Sequence, residues 1–149
     1  MDPELAKLLD ERECERLIST YCHLVDFGNA PDIANLFTPN GVWLGLNVEM
    51  KGQEDIRAHF EHRQSVTRRQ SRHLCTNIVI DMGIDKASAT CYLVNYRHDS
   101  STGEAELPAP VGLPKYVGEY HDTFEKTPEG WRFAVRRFEI TFLRPATVV

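Results

Sequence analysis

Asp26, His73 and Tyr21 are the side chains of this 149-residue chain whose types, taken together, suit proton-transfer chemistry. A neutral imidazole near pH 7 can remove a carbon-bound proton, a carboxylate can fix its tautomer, and a phenol can donate to a carbonyl or a departing hydroxyl. Asp26 falls in the last turn of a predicted helix, where the partial negative charge of the helix end disfavours a carboxylate. It is either a carboxylate held there for a task or a surface aspartate that caps the following turn. His73 opens a period-two segment in which His73, Cys75, Asn77 and Val79 share one face, opposite Leu74, Thr76, Ile78 and Ile80. If the histidine face lines a cavity, the imidazole is a candidate base; otherwise it is a strand-end histidine bonded to a loop. Tyr21 lies near the centre of an apolar helical stripe, so its ring is expected to be buried and its hydroxyl to need a partner, from a cavity or from backbone. Asn77 and Asn95, on successive predicted strands, are candidate substrate-binding anchors of the same pocket.

Other chemistry finds less support. His59 and His62 lie three apart around Glu61, but the spacing is not H-E-x-x-H and Arg57 and Arg63 are close by. They read as helix surface, and no metal is expected. His23, His98 and His121 have no partner that spacing can name. Cys14, Cys22, Cys75 and Cys91 form no C-x-x-C pair and sit in apolar periodic segments, which suits reduced core thiols. There is no glycine-rich phosphate cradle, so no cofactor is expected. The basic run Arg63, Arg68, Arg69, Arg72 reads as a solvated helix end and is assigned no role.

The elements that must position these groups follow from periodicity. Asp10 and Glu13 have capping-box spacing, and Cys14, Leu17, Ile18, Tyr21, Cys22 and Val25 then recur at three- and four-residue steps until Gly28. A short second helix carries Pro31 in its first turn and runs through Ala34 and Phe37 to a turn at Thr38-Pro39-Asn40-Gly41. Val42 to Val48 predicts a strand, and Gly52 opens a third helix that buries Ile56 and Phe60. From His73 the period becomes two, with strands expected at about 73–82, 87–98, 114–126 and 131–143. Trp131, Phe133 and Val135 alternate as core, with Trp43 and Phe37. The Pro-, Gly- and Ser-containing stretch from Asp99 to Pro114 predicts a mobile connection able to cover a pocket. Helices followed by antiparallel strands predict a single α+β domain over residues 1–149: a strongly curved antiparallel sheet wrapped around the N-terminal helices, with a pocket at its open end.

Composition narrows the partners. Lys and Arg number 17 against 22 Asp and Glu, a net charge of −5 that repels a phosphate backbone, so no nucleic acid is expected. No apolar run is long enough to span a bilayer. The acidic start MDPELAKLLDERE has neither a basic n-region nor an apolar h-region, which predicts a cytoplasmic protein.

The stretches YCHLVDFGNAPDIANLFTPNGVW, KGQEDIRAHF, SRHLCTNIVI and GEYHDTFEKTPEGWRFAVRRFEI, in that order, resemble the SnoaL-like family of the nuclear transport factor 2-like superfamily. That family includes scytalone dehydratase, bile-acid dehydratases and lindane dehydrochlorinase. The resemblance runs from about Glu11 to Pro145. It implies a cone-shaped sheet enclosing the pocket and assigns the family's catalytic aspartate to Asp26, its histidine to His73 and a dehydratase tyrosine to Tyr21.

These readings predict a cofactor-independent lyase that eliminates water, or another small leaving group, from a hydrophobic cyclic or polycyclic substrate. A ketosteroid-isomerase-like isomerase, or a polyketide cyclase, is the alternative within carbanion chemistry. A non-catalytic small-molecule-binding or assembly module is the alternative from another class. Tyr92, Val94 and Tyr96 alternate with Cys91, Leu93 and Asn95, so both faces of that strand are fairly apolar, and a homo-oligomer, dimer or trimer, is expected.

Overall fold

The computed structural model describes residues 1–146. Its elements are α1 (Pro3–Phe27), a 3₁₀ helix (Ala30–Leu36), β1 (Phe37–Gly45), β2 (Val48–Lys51), α2 (Gly52–Ser65), β3 (Arg69–Met82), β4 (Lys86–Asp99), β5 (Tyr116–Thr127) and β6 (Gly130–Leu143). The strands form one curved sheet in the order β2-β1-β6-β5-β4-β3. All neighbours are antiparallel except β1 and β6, which run parallel. The predicted antiparallel sheet is corrected at that one pairing: β1 and β6 lie far apart in sequence and are joined by no hairpin, so no tight turn sets their relative direction.

Helix α1 buries the predicted stripe, Cys14, Leu17, Ile18, Tyr21, Cys22 and Val25, against the inner face of the sheet. It is longer than its capping box implies. Asp2 caps it by accepting from the Glu4 and Leu5 amides. Asp10 instead accepts from Lys126 Nζ at 3.1 Å, and Glu13 from the Trp131 amide at 2.6 Å, so both fasten the helix to the β5–β6 hairpin. The predicted Val42–Val48 strand is a hairpin, β1 to β2, turning at Leu46 and Asn47 with φ of 52° and 59°. Thr38 to Gly41 lie within β1, at its irregular pairing with β6, and do not form the predicted turn.

Two bulges decide which side chains reach the interior. In β3 the pairing with β4 slips between Thr76 and Val79, and Asn77 takes a φ of 54°. His73 and Cys75 point inward before it and Ile78, Ile80 and Met82 after it. In β6 the pairing with β5 slips at Ala134, between Phe133 and Val135. The interior then receives Trp131, Phe133, Arg136 and Phe138, where strict alternation would have sent Val135 and Arg137. A third slip lies at Gly118, where an added Cβ would stand 2.0 Å from the Glu139 carbonyl oxygen.

Beyond Asp99, which closes β4, the connection over 100–114 forms no strand and is held by backbone contacts: the Ser100 amide donates to the Arg68 carbonyl and the Ala105 amide to the Thr67 carbonyl. Among the described residues, no helix is long and apolar enough to cross a membrane.

Candidate active site

Asp26 lies in the last turn of α1 and His73 near the start of β3, and the packing of that helix on that strand brings them together. Asp26 Oδ1 accepts from the His73 ring Nδ1 at 2.6 Å and from Ser71 Oγ at 3.0 Å, while Oδ2 accepts from the His73 backbone amide at 2.7 Å. Ser71 Oγ in turn accepts from Arg63 Nη2 at 2.9 Å, which turns the serine hydroxyl proton toward Asp26. The carboxylate is 4% exposed, so these donors replace water and offset its unfavourable place at the helix end. With Nδ1 committed to Asp26, Nε2 is left as the nitrogen able to take a proton.

His73 lines a half-open cavity of about 140 Å³ whose wall includes Tyr21, Val25, Trp43, Phe60, Leu93 and Tyr120. Tyr21 is 3% exposed and its hydroxyl oxygen accepts from Trp43 Nε1 at 3.1 Å. Burial pushes the phenol up to about 12, so it keeps its proton at neutral pH. An indole N–H on the oxygen leaves the phenolic hydrogen as the group to be donated. Asn95 also lines the cavity: it is directly opposite His73 in the β3–β4 register, is 2% exposed, and donates from Nδ2 to the Arg72 carbonyl at 3.2 Å.

Asn77 does not belong to the site. It is exposed on the β3 bulge, and the expectation that it shares the inward face of His73 fails because the extra residue there resets the alternation. None of residues 100–114 lines this cavity, so the expected cover over it is not formed by that connection.

Arg136 escaped the sequence reading for the same kind of reason. Its side chain is fully buried beside the equally buried Asp122, with Nε 3.3 Å from Oδ1, and its guanidinium lies 3.5 Å from the Tyr120 ring centroid and 4.2 Å from that of Tyr21. Burial alone would lower the arginine, but Asp122 and the tyrosines outweigh it and hold it cationic. Burial pushes the Asp122 carboxyl up, to about 7, against the pull of Arg136. The signal in the sequence was an arginine in the apolar strand WRFAVRRFEI, but only the bulge says which arginine turns in.

The four cysteines are free thiols, Cys75 partly exposed and the others buried, and two of them meet: Cys22 Sγ on α1 lies 3.5 Å from Cys75 Sγ on β3. Hydrogen bonds from Cys22 and Cys91 pull the Cys75 thiol down. Among the described residues, Glu119, His121 and Glu139 are placed where they could share a metal ion, on β5 and β6 away from the cavity. Arg137 already pairs with Glu139 there.

The chain matches the model of a family described as the SnoaL-like domain over residues 6–137. No curated protein matches it. Among solved structures, an NTF2-like protein with a cystatin-like fold from Novosphingobium aromaticivorans superposes with a TM-score of 0.78 at 23% identity, covering 93% of this chain and 86% of that one. A protein of the same organism named provisionally as a scytalone dehydratase gives 0.76 at 24% identity, covering 95% and 91%. A provisionally named dehydratase of the NTF2-like family from Streptomyces avermitilis gives 0.77 at 12% identity, covering 91% and 99%. At these identities the likeness is one of fold.

Proposed function

The chain belongs to the SnoaL-like domain family, and for this member we propose a cofactor-independent lyase that eliminates water, or another small leaving group, from a hydrophobic cyclic substrate. The observation that carries the reading is the 2.6 Å contact between Asp26 Oδ1 and His73 Nδ1 at the wall of an apolar cavity. The provisional dehydratase names of two structural neighbours point the same way.

In this mechanism His73 Nε2 takes a proton from the carbon next to a carbonyl, and the electron pair of that C–H bond moves into an enolate. Asp26 holds the ring in place and stabilises the imidazolium. Tyr21 donates its phenolic hydrogen to the carbonyl oxygen, where negative charge develops. As the enolate collapses, the bond to the β-hydroxyl breaks and the imidazolium returns its proton to the departing oxygen, which leaves as water. Enzyme groups end as they began. The cavity, at about 140 Å³, is close to the roughly 150 Å³ void that accepts benzene in an engineered protein, which favours one ring over several in the enclosed part.

Replacing His73 with Ala tests the reading. Incubated with cyclic β-hydroxy carbonyl compounds, the wild-type protein should yield a product lighter by one water in the mass spectrum, and folded His73→Ala should yield none. A product of unchanged mass would make the protein an isomerase, and turnover retained by the variant would remove the mechanism.

A further inference from the structure

The charges around the cavity are one-sided. Arg63 from the end of α2, Arg69 from the start of β3 and Arg97 near the end of β4 all line it, and no aspartate or glutamate does. That is the reverse of the chain as a whole, whose net charge is −5. These side chains are also organised. Asp99 accepts from Arg69 Nε at 2.8 Å and Nη2 at 3.2 Å, and from Arg97 Nη2 at 3.2 Å, so one carboxylate aligns two guanidiniums and leaves the Nη1 groups of both outside the pairing.

The three arginines crowd one another. Arg63 is lowered by burial first and then by Arg69 and Arg97, with Asp26 and Asp99 opposing. Lys115, close by, is lowered by burial and then by Arg97 and Arg144. Such a site holds more positive charge than its own carboxylates balance, in partly buried surroundings where an incoming anion is screened less than at a free surface. Planar guanidinium forks match a carboxylate better than they match a neutral oxygen.

We propose that the substrate of this site carries a carboxylate, seated by Arg69 and Arg97 with Arg63 beside them, while its ring occupies the apolar part of the cavity against His73. The proposal rests on the lyase reading for what happens to the ring, but not for the binding of the acid. It narrows the substrate class to small cyclic acids whose charged group stands apart from the carbon that loses its proton. It also gives a role to residues of the basic run that the sequence left without one: Arg63 and Arg69 face the cavity, whereas Arg68 is exposed and Arg72 lies 5.1 Å over the Phe27 ring.

Binding of benzoate and of its neutral counterpart benzamide, measured by calorimetry or ligand-detected NMR on wild-type protein, Arg69→Gln, Arg97→Gln, Arg97→Lys and His73→Ala, tests this. Benzoate should bind wild type about tenfold or more tighter than benzamide. Each Gln variant should remove most of that preference without changing benzamide affinity. Arg97→Lys should restore part of it, and His73→Ala should keep it. Equal affinity of wild type for the acid and the amide would overturn the proposal, as would a preference that survives both Gln substitutions in folded protein. A preference that follows the arginines in a protein with no His73-dependent elimination upholds the carboxylate site and removes the lyase. Elimination that depends on His73 but treats acids and amides alike does the reverse.

Discussion

Asp26 and His73 are joined twice, one carboxylate oxygen to the imidazole and the other to the backbone amide of the same residue. The ring is therefore fixed in position as well as in tautomer, because the carboxylate grips the strand that carries it.

Asp26→Asn keeps the size of the side chain but cannot accept at both oxygens, so the tautomer and the grip are both weakened. Under the proposed mechanism kcat should fall by about 100-fold or more, with a much smaller change in KM. Steady-state kinetics on the substrate found with the wild type checks this; an unchanged kcat would leave Asp26 a structural tether only.

Tyr21→Phe removes a hydroxyl that both accepts from Trp43 and is available to the cavity. Loss of the donor should reduce kcat by roughly 100-fold. Stranding the indole N–H should also cost about 1–3 kcal/mol of stability, readable by urea denaturation. Stability loss with full activity would assign Tyr21 to the core alone.

Asp122 predicts a pH dependence of stability. Its carboxyl stands at about 7 in the fold against an ordinary value of 3.8, so the folded chain holds a proton that the unfolded chain has released between those values. The stability linked to this group is present below about pH 4 and is lost as pH rises through about 7, on the order of 4 kcal/mol at most. Thermal melts should therefore be higher near pH 5 than near pH 8. Asp122→Asn, which cannot titrate, should flatten the difference; an unaltered profile in that variant would trace it to another group.

Asn77 offers a control for the corrected face assignment. Its φ of 54° suits Gly or Asn and strains a β-branched residue. Asn77→Val should lower stability by about 1–2 kcal/mol and Asn77→Gly by much less. Both should keep wild-type kcat/KM, since the side chain is exposed and off the cavity wall; a raised KM in Asn77→Gly would restore it to the site.

Much of this was legible from residue spacing. The α1 stripe, the placement of Asp26 at its end, and the runs of period two were carried by local patterns that tertiary packing did not need to override. Two departures, at Asn77 and Arg136, share a cause. Asn77 was assigned inward and Arg136 passed over because a bulge adds one residue to the strand, and one residue exchanges the two faces of everything beyond it. The arginines were missed differently. Arg63, Arg69 and Arg97 come from a helix and two strands, so their convergence is a product of topology that the sequence order does not display.

The thiol contact between Cys22 and Cys75 acquires a meaning beside the dyad. Counting four residues up the helix from Cys22 reaches Asp26, a rise of about 6 Å; counting two residues back along the strand from Cys75 reaches His73, about 6.6 Å. Helix and strand are commensurate along this seam, and the two contacts are adjacent rungs between the same pair of rails. The lower rung is made of small, deformable sulfur atoms, and it gauges how closely the rails approach. A bulkier residue at either cysteine would act as a wedge one rung below the carboxylate and the imidazole, and the distance it forced open would be paid in the reach of a proton.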